Sequence, residues 1–250
     1  MEVFQPRGVQ GCDVCTWELL SLKALFRGRP NPVYENMPSF DNEKAYVPQE
    51  DVFVSMSYHT VRLTRWLAKF DDGREEELVE YVKSRASLDR TPAGILKVID
   101  EFARTQKYLM NIGEDKGKIV TEIIRDRKPE TMLELGGYCG YSTILFADTV
   151  RECGGKKYYS LERSPKFAKV IEALLELAGL GDFAEVVVGP SDEGIKKLNK
   201  SGEVTKIDML FLDHYKPAYT TDLKLCESLG MIVKGTVGLP IHRLMPAYIE

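Results

Sequence analysis

The chain has 250 residues, 44% of them hydrophobic and 29% charged, enough for one substantial core plus additional segments. Its formal net charge of -4 gives no basic footprint of the kind that nucleic-acid binders carry. No apolar stretch approaches the roughly 20 residues of a membrane helix, and the N-terminus lacks a signal peptide's unbroken apolar core, so a cytoplasmic protein is the expectation, with a monomer as the default state.

Residues 1 to 70 are rich in turn formers, as in Arg27-Gly28-Arg29-Pro30-Asn31-Pro32, and lack sustained periodicity. They are expected to form a poorly ordered extension ahead of a domain covering 71–250. Cys12 and Cys15 form one CxxC with no second pair to complete a zinc site. Cys139, Cys153 and Cys226 fall within predicted elements and read as reduced thiols.

Three amphipathic helices come first. Leu78, Val79 and Val82 mark one; Ile95, Val98, Ile99 and Phe102 mark the second, after a Thr91-Pro92 start; the third runs from about Asp115 to Pro129, with Ile119, Val120, Ile123 and Ile124 on one face. Between the second and third lies an aromatic and apolar connection, Tyr108 to Gly113. On pattern alone it reads as a helix link packed on the core.

Strands and helices then alternate. Predicted strands cover 131–135, 157–161, 185–188 and 207–212, with a fifth entered through Met231-Ile232-Val233 and Thr236-Val237. Helices are expected at 141–152, after the Ser164 cap and Pro165 up to Gly179, at 192–199 and at about 218–228. Regular βα alternation implies an α/β fold, a mostly parallel sheet flanked by helices.

Chemistry is expected where strands end. After the first strand, Glu134, Gly136 and Gly140 are spaced Glu-x-Gly-x-x-x-Gly, a turn that lets a ligand approach the backbone and the next helix N-terminus. This is not GxGxxG, so a nicotinamide-dependent oxidoreductase is disfavoured. Glu162 closes the second strand, where a carboxylate can accept hydrogen bonds from both ribose hydroxyls. After the fourth strand come Asp213-His214-Tyr215-Lys216. Asp213 offers the oxygen that hard divalent cations prefer. Lys216, before Pro217, is expected in an extended loop beside it rather than in the following helix.

The stretches Met110 to Gly117, Leu133 to Ser142, Val187 to Ser191 and Phe211 to Lys216 resemble catechol O-methyltransferases of the fungal type. The resemblance runs from about Asp71 to Val237 and implies a Rossmann-like class I S-adenosylmethionine-dependent methyltransferase fold acting on a catechol. By that resemblance Glu134, Gly136, Tyr138, Ser142, Glu162 and Ser191 surround S-adenosylmethionine, Met110 and Ile112 pack near its methionine end, and Arg163 follows at the adenosine. His214 and Tyr215 lie beside the adenine. Asp213 ligates Mg²⁺ next to the cofactor, Lys216 is the general base, and Tyr108 and Tyr215 border the catechol. After Val237 the chain departs from the family: Ile241 and His242 stand where an Asp and an Asn would complete the metal site. The expectation is therefore an incomplete Mg²⁺ site and a C-terminally altered fold lacking its last strands, in which Pro240 ends the fifth strand early. The alternative reading is a non-catalytic product of the same gene that keeps part of the cofactor surface.

Overall fold

The structure, a computed structural model, describes residues 72–85 and 89–241. Cys12, Cys15, the proposed extension and the stretch from His242 lie outside the described residues.

Among the described residues, the first three helices are α1 (Arg74–Arg85), α2 (Pro92–Thr105) and α3 (Gly113–Arg127). Thr91 caps α2 by accepting a hydrogen bond from the Gly94 N–H at 3.1 Å, and Pro92 occupies the first turn, where its missing N–H costs nothing. α3 starts two residues before the predicted Asp115, because Gly113, at φ 73°, turns the chain directly into the helix. It ends at Lys128, whose left-handed backbone donates to the Ile124 carbonyl just ahead of Pro129.

The alternating part follows as β1 (Thr131–Leu135), α4 (Tyr141–Glu152), β2 (Lys157–Glu162), α5 (Pro165–Leu177), β3 (Ala184–Val188), α6 (Ser191–Ser201), β4 (Ile207–Leu212), α7 (Tyr219–Ser228) and β5 (Ile232–Pro240). The strands form one parallel sheet in the order β3-β2-β1-β4-β5. The chain turns one way after β1 and the other way after β4, so the switch point lies between their carboxyl ends, where an open α/β sheet has its binding crevice.

Two corrections to the sequence reading concern the chain after β4. Lys216 is not in an extended loop: it opens a short 3-10 turn, Lys216–Ala218, that leads into α7. Pro240 does not cut β5 short. It is the last residue of the strand, opposite Leu212, and it is tolerated because β5 lies at the sheet edge among the described residues. β5 is a single strand interrupted by extra residues between Ile232 and Val237; Thr236 Oγ1 bridges the irregularity, donating to the Ile207 carbonyl at 2.7 Å.

The sheet divides the apolar interior in two. On one face Met132, Tyr158, Met209 and Phe211 pack with α1 to α5; on the other Leu133, Leu135, Leu161, Leu210 and Leu212 pack with α6 and α7. Ile95, Ile99 and Phe102, one helical stripe of α2, are buried in the first layer. Each stabilises the fold by about 1.5–3 kcal/mol relative to exposure.

Candidate active site

The turns after β1, β2 and β4 meet at one edge of the sheet. Gly136 donates its N–H to the Leu161 carbonyl at 2.9 Å, and Asp213 donates to the Leu135 carbonyl at 2.9 Å. A Cβ on Gly136 would lie 2.8 Å from the Asp213 carbonyl oxygen and 2.9 Å from the His214 Cα, and its φ is +96°. Only glycine allows these two turns to touch, so Gly136 is the residue that brings them together.

Glu162 reaches into the same edge. One carboxylate oxygen accepts from the Tyr138 N–H at 2.9 Å and the other from the Ser164 N–H at 2.8 Å. Burial raises its pKa, and these backbone N–H groups work against that rise. A carboxylate has about four acceptor sites, so Glu162 braces the glycine turn and keeps acceptor capacity for hydroxyl groups.

Glu134 lies beneath the turn. It is fully buried, and its Oε2 accepts from Thr143 Oγ1 at 2.6 Å and Ser160 Oγ at 2.7 Å. Burial drives its pKa up, opposed by hydrogen bonds from Ser142, Thr143 and Ser160. The same hydroxyls sit under Gly137, whose added Cβ would fall 2.5 Å from Ser160 Oγ. Thr143 and Ser160 were missed from the sequence because nothing in a lone hydroxyl residue on a helix or strand announces a shared buried acid. Ser142, in the first turn of α4, is buried beside them.

On the far side of the crevice, Ser191 Oγ donates to Asp222 Oδ2 at 2.6 Å, and His214 Nε2 lies 2.8 Å from the same oxygen. Because a carboxylate only accepts, this geometry puts the imidazole proton on Nε2 and leaves Nδ1 a buried acceptor with no partner. The ring stacks on Tyr219 with centroids 4.9 Å apart. Asp222, in the first turn of α7, gave no signal in the sequence. Tyr215, 59% exposed, and Lys216, also exposed, continue this turn.

The Tyr108 to Gly113 link is split. Tyr108 and Met110 are 65% and 45% exposed, whereas Leu109 and Ile112 are buried in the core. Ile112 thus supports the link from inside, while Tyr108 and Met110 are accessible to a ligand. Asn111 Nδ2 is buried without an acceptor. Arg163 is exposed immediately after Glu162.

Asp213 is largely buried, and its pKa is pushed up to about 7 by burial, then by the charge of Glu134, with Lys116 opposing. Among the described residues, no group of three or more His, Cys, Asp and Glu side chains comes together to hold a metal ion. Ile241 packs against the apolar core. A single recognised carboxylate does not fit Mg²⁺, which requires near-octahedral oxygen coordination. No membrane-length apolar helix occurs among the described residues.

Residues 133–237 match the family described as "Methyltransferase domain". The chain is 34% identical over 173 residues to mouse catechol O-methyltransferase, covering 69% of this chain and 64% of the mouse protein, less than two thirds of its length. To zebrafish catechol O-methyltransferase B it is 32% identical over 201 residues, covering 79% of this chain and 75% of that protein. A solved Podospora anserina methyltransferase with bound SAH superposes with a TM-score of 0.48 at 21% identity, covering 76% of this chain and 72% of that one. With the glycine turn, the carboxylate closing β2 and the switch-point crevice in place, the zebrafish match settles the family: the chain belongs to the catechol O-methyltransferases, class I S-adenosylmethionine-dependent O-methyltransferases.

Proposed function

We propose that this chain transfers a methyl group from S-adenosylmethionine to a hydroxyl of a catechol. The observation that carries the reading is the contact of the Gly136 turn with the Asp213-His214 turn, which gathers the acceptor, ring and amine groups of three strand ends at one crevice. Bound there, S-adenosylmethionine would supply an electrophilic methyl group.

The chain's own residues bind and orient. Glu162 accepts hydrogen bonds from the ribose hydroxyls, and the α4 N-terminus after Gly140, with Ser142, faces the methionine carboxylate. His214, fixed by Asp222, lies beside the adenine, with Ser191, Tyr215 and the exposed Arg163 around it. Met110 packs near the methionine end of the cofactor, and Tyr108 gives the acceptor ring an apolar wall. Lys216 takes the hydroxyl proton. Holding oxygen and methyl in line supplies most of the acceleration by proximity.

Among the described residues the donor set around Asp213 does not fit Mg²⁺, and the roles above do not depend on it. That same donor set favours a second reading, a chain that binds the cofactor without turnover.

The experiment is paired. SAH binding by calorimetry and methyl transfer from radiolabelled S-adenosylmethionine to a simple catechol are measured with and without Mg²⁺, for the native chain and Lys216→Ala. Binding with transfer that falls by about 100-fold or more in the variant supports catalysis. Binding with no transfer under either condition establishes the second reading, and no binding overturns both.

A further inference from the structure

Two neighbouring residues at the start of α1, outside the matched domain, hold two separate parts of the crevice. Glu75 is buried, 1% exposed, and its Oε1 accepts a hydrogen bond from the Tyr138 hydroxyl at 2.7 Å. Arg74 donates through Nη1 to the Tyr108 carbonyl at 2.7 Å, while Asp72 grips its guanidinium from the other side at 2.8 and 2.9 Å.

Tyr138 needs such an anchor. Its φ of 47° is left-handed, which costs a bulky side chain energy that the surroundings must offset. Its ring is wedged edge-on against Phe167 of α5 at 5.3 Å, so Phe167 and Glu75 together fix its direction. Its N–H is the one that Glu162 accepts. The Glu75 contact therefore bears on the same backbone that positions the β2 carboxylate. The other Glu75 oxygen is buried with no partner; a group so poorly solvated is kept in place only by a strong local demand.

We infer that Arg74 and Glu75 are positioning residues forming a clamp, which ties the Tyr138 side of the cofactor crevice to the Tyr108 wall so that cofactor binding is felt at both. The inference rests on the reading of this crevice as the S-adenosylmethionine site. Glu75 acts through Tyr138 and Arg74 through the Tyr108 backbone; neither is a catalytic residue. Loss of the Glu75 bond leaves the strained turn free to relax, and the cofactor must then reorder it on binding.

The test uses the full chain with SAH as probe. Tyr138→Phe removes one oxygen, and Glu75→Ala removes its acceptor; each is expected to weaken SAH binding about tenfold, and the double variant no further, because both delete the same bond. Glu75→Gln, which retains an amide oxygen as acceptor, should recover affinity to within about threefold. In the native chain, saturating SAH should slow tryptic cleavage at Lys107, next to Tyr108, by about tenfold, and this protection should vanish in Tyr138→Phe. A purely structural role would lower Tm and leave SAH affinity and the protection unchanged, which would overturn the clamp. Should Glu75→Ala fail to fold, Tyr138→Phe decides by itself. If the native chain does not bind SAH at all, the site reading falls first and the clamp with it; native binding with unchanged variants removes the clamp alone.

Discussion

Ser191 and Asp222 are joined by a 2.6 Å hydrogen bond that links the first residue of α6 to the first turn of α7, and His214 closes on the same carboxylate oxygen at 2.8 Å. Asp222 is 3% exposed, and its removal leaves the half-buried Ser191 hydroxyl and His214 imidazole without this acceptor. Asp222→Ala is expected to lower the unfolding free energy by about 2–3 kcal/mol, read from urea denaturation. It should also weaken SAH binding, since His214 loses its fixed orientation. An unchanged urea midpoint would show that the triad does not stabilise the fold.

Gly136→Ala puts a methyl group against the Asp213 backbone at a positive φ. The turns must separate, and the expected cost is about 2 kcal/mol or more in stability with at least tenfold weaker SAH binding. Gly113 provides the contrast: its φ is +73° but no atom lies within 4 Å of an added Cβ. Gly113→Ala should cost only about 1 kcal/mol, from backbone strain. Equal losses in thermal and calorimetric assays would refute the role assigned to the turn contact.

Phe146 of α4 packs edge-on against Phe211 of β4 with centroids 5.1 Å apart, and both are fully buried. Phe146→Ala is expected to cost about 3–5 kcal/mol. A loss below 1 kcal/mol in denaturant unfolding would mean that this layer refills the space.

Asp208 gives a pH signature. Burial would raise its pKa, but Lys206 at 2.6 Å and the Thr131 and Glu130 N–H groups at 3.0 and 3.1 Å bring it below the ordinary carboxylate value. The unfolded chain then binds more protons than the folded one at acid pH. Its stabilisation is complete above the unfolded pKa of about 3.9 and is lost as pH falls through the lower folded value. Asp208→Asn should flatten the acid limb of a stability–pH curve below pH ~4. A limb as steep as the native one would assign acid sensitivity to other groups.

The sequence was most legible where local physics acts alone. Apolar runs fixed β1 and β4 to the residue, and Thr91 and Ser164 marked their helix starts because a cap is a contact made within one turn. β5 was harder: its pairing with β4 skips residues, and no alternation rule foresees an irregularity sealed by Thr236. Within the site, Gly136, Glu162 and Asp213 showed themselves by standing at strand ends. Glu75, Thr143, Ser160 and Asp222 did not, since each acts through a partner 8 to 63 positions away. The position of Lys216 in a 3-10 turn was equally hidden, because Pro217 is as acceptable in the first turn of a helix as after an extended residue.

The division of the interior into unequal layers has a consequence for breathing. Among the described residues, Glu162 and Tyr138 rest on the thick layer built from five helices, while Ser191, His214 and Asp222 belong to the thin side, held by two. Fewer packed side chains mean a lower cost of partial opening, so the imidazole flank loosens first and most often. A nucleoside lying across the seam would act as a staple between halves of different toughness, and the largest gain in rigidity on loading should appear on the weaker half.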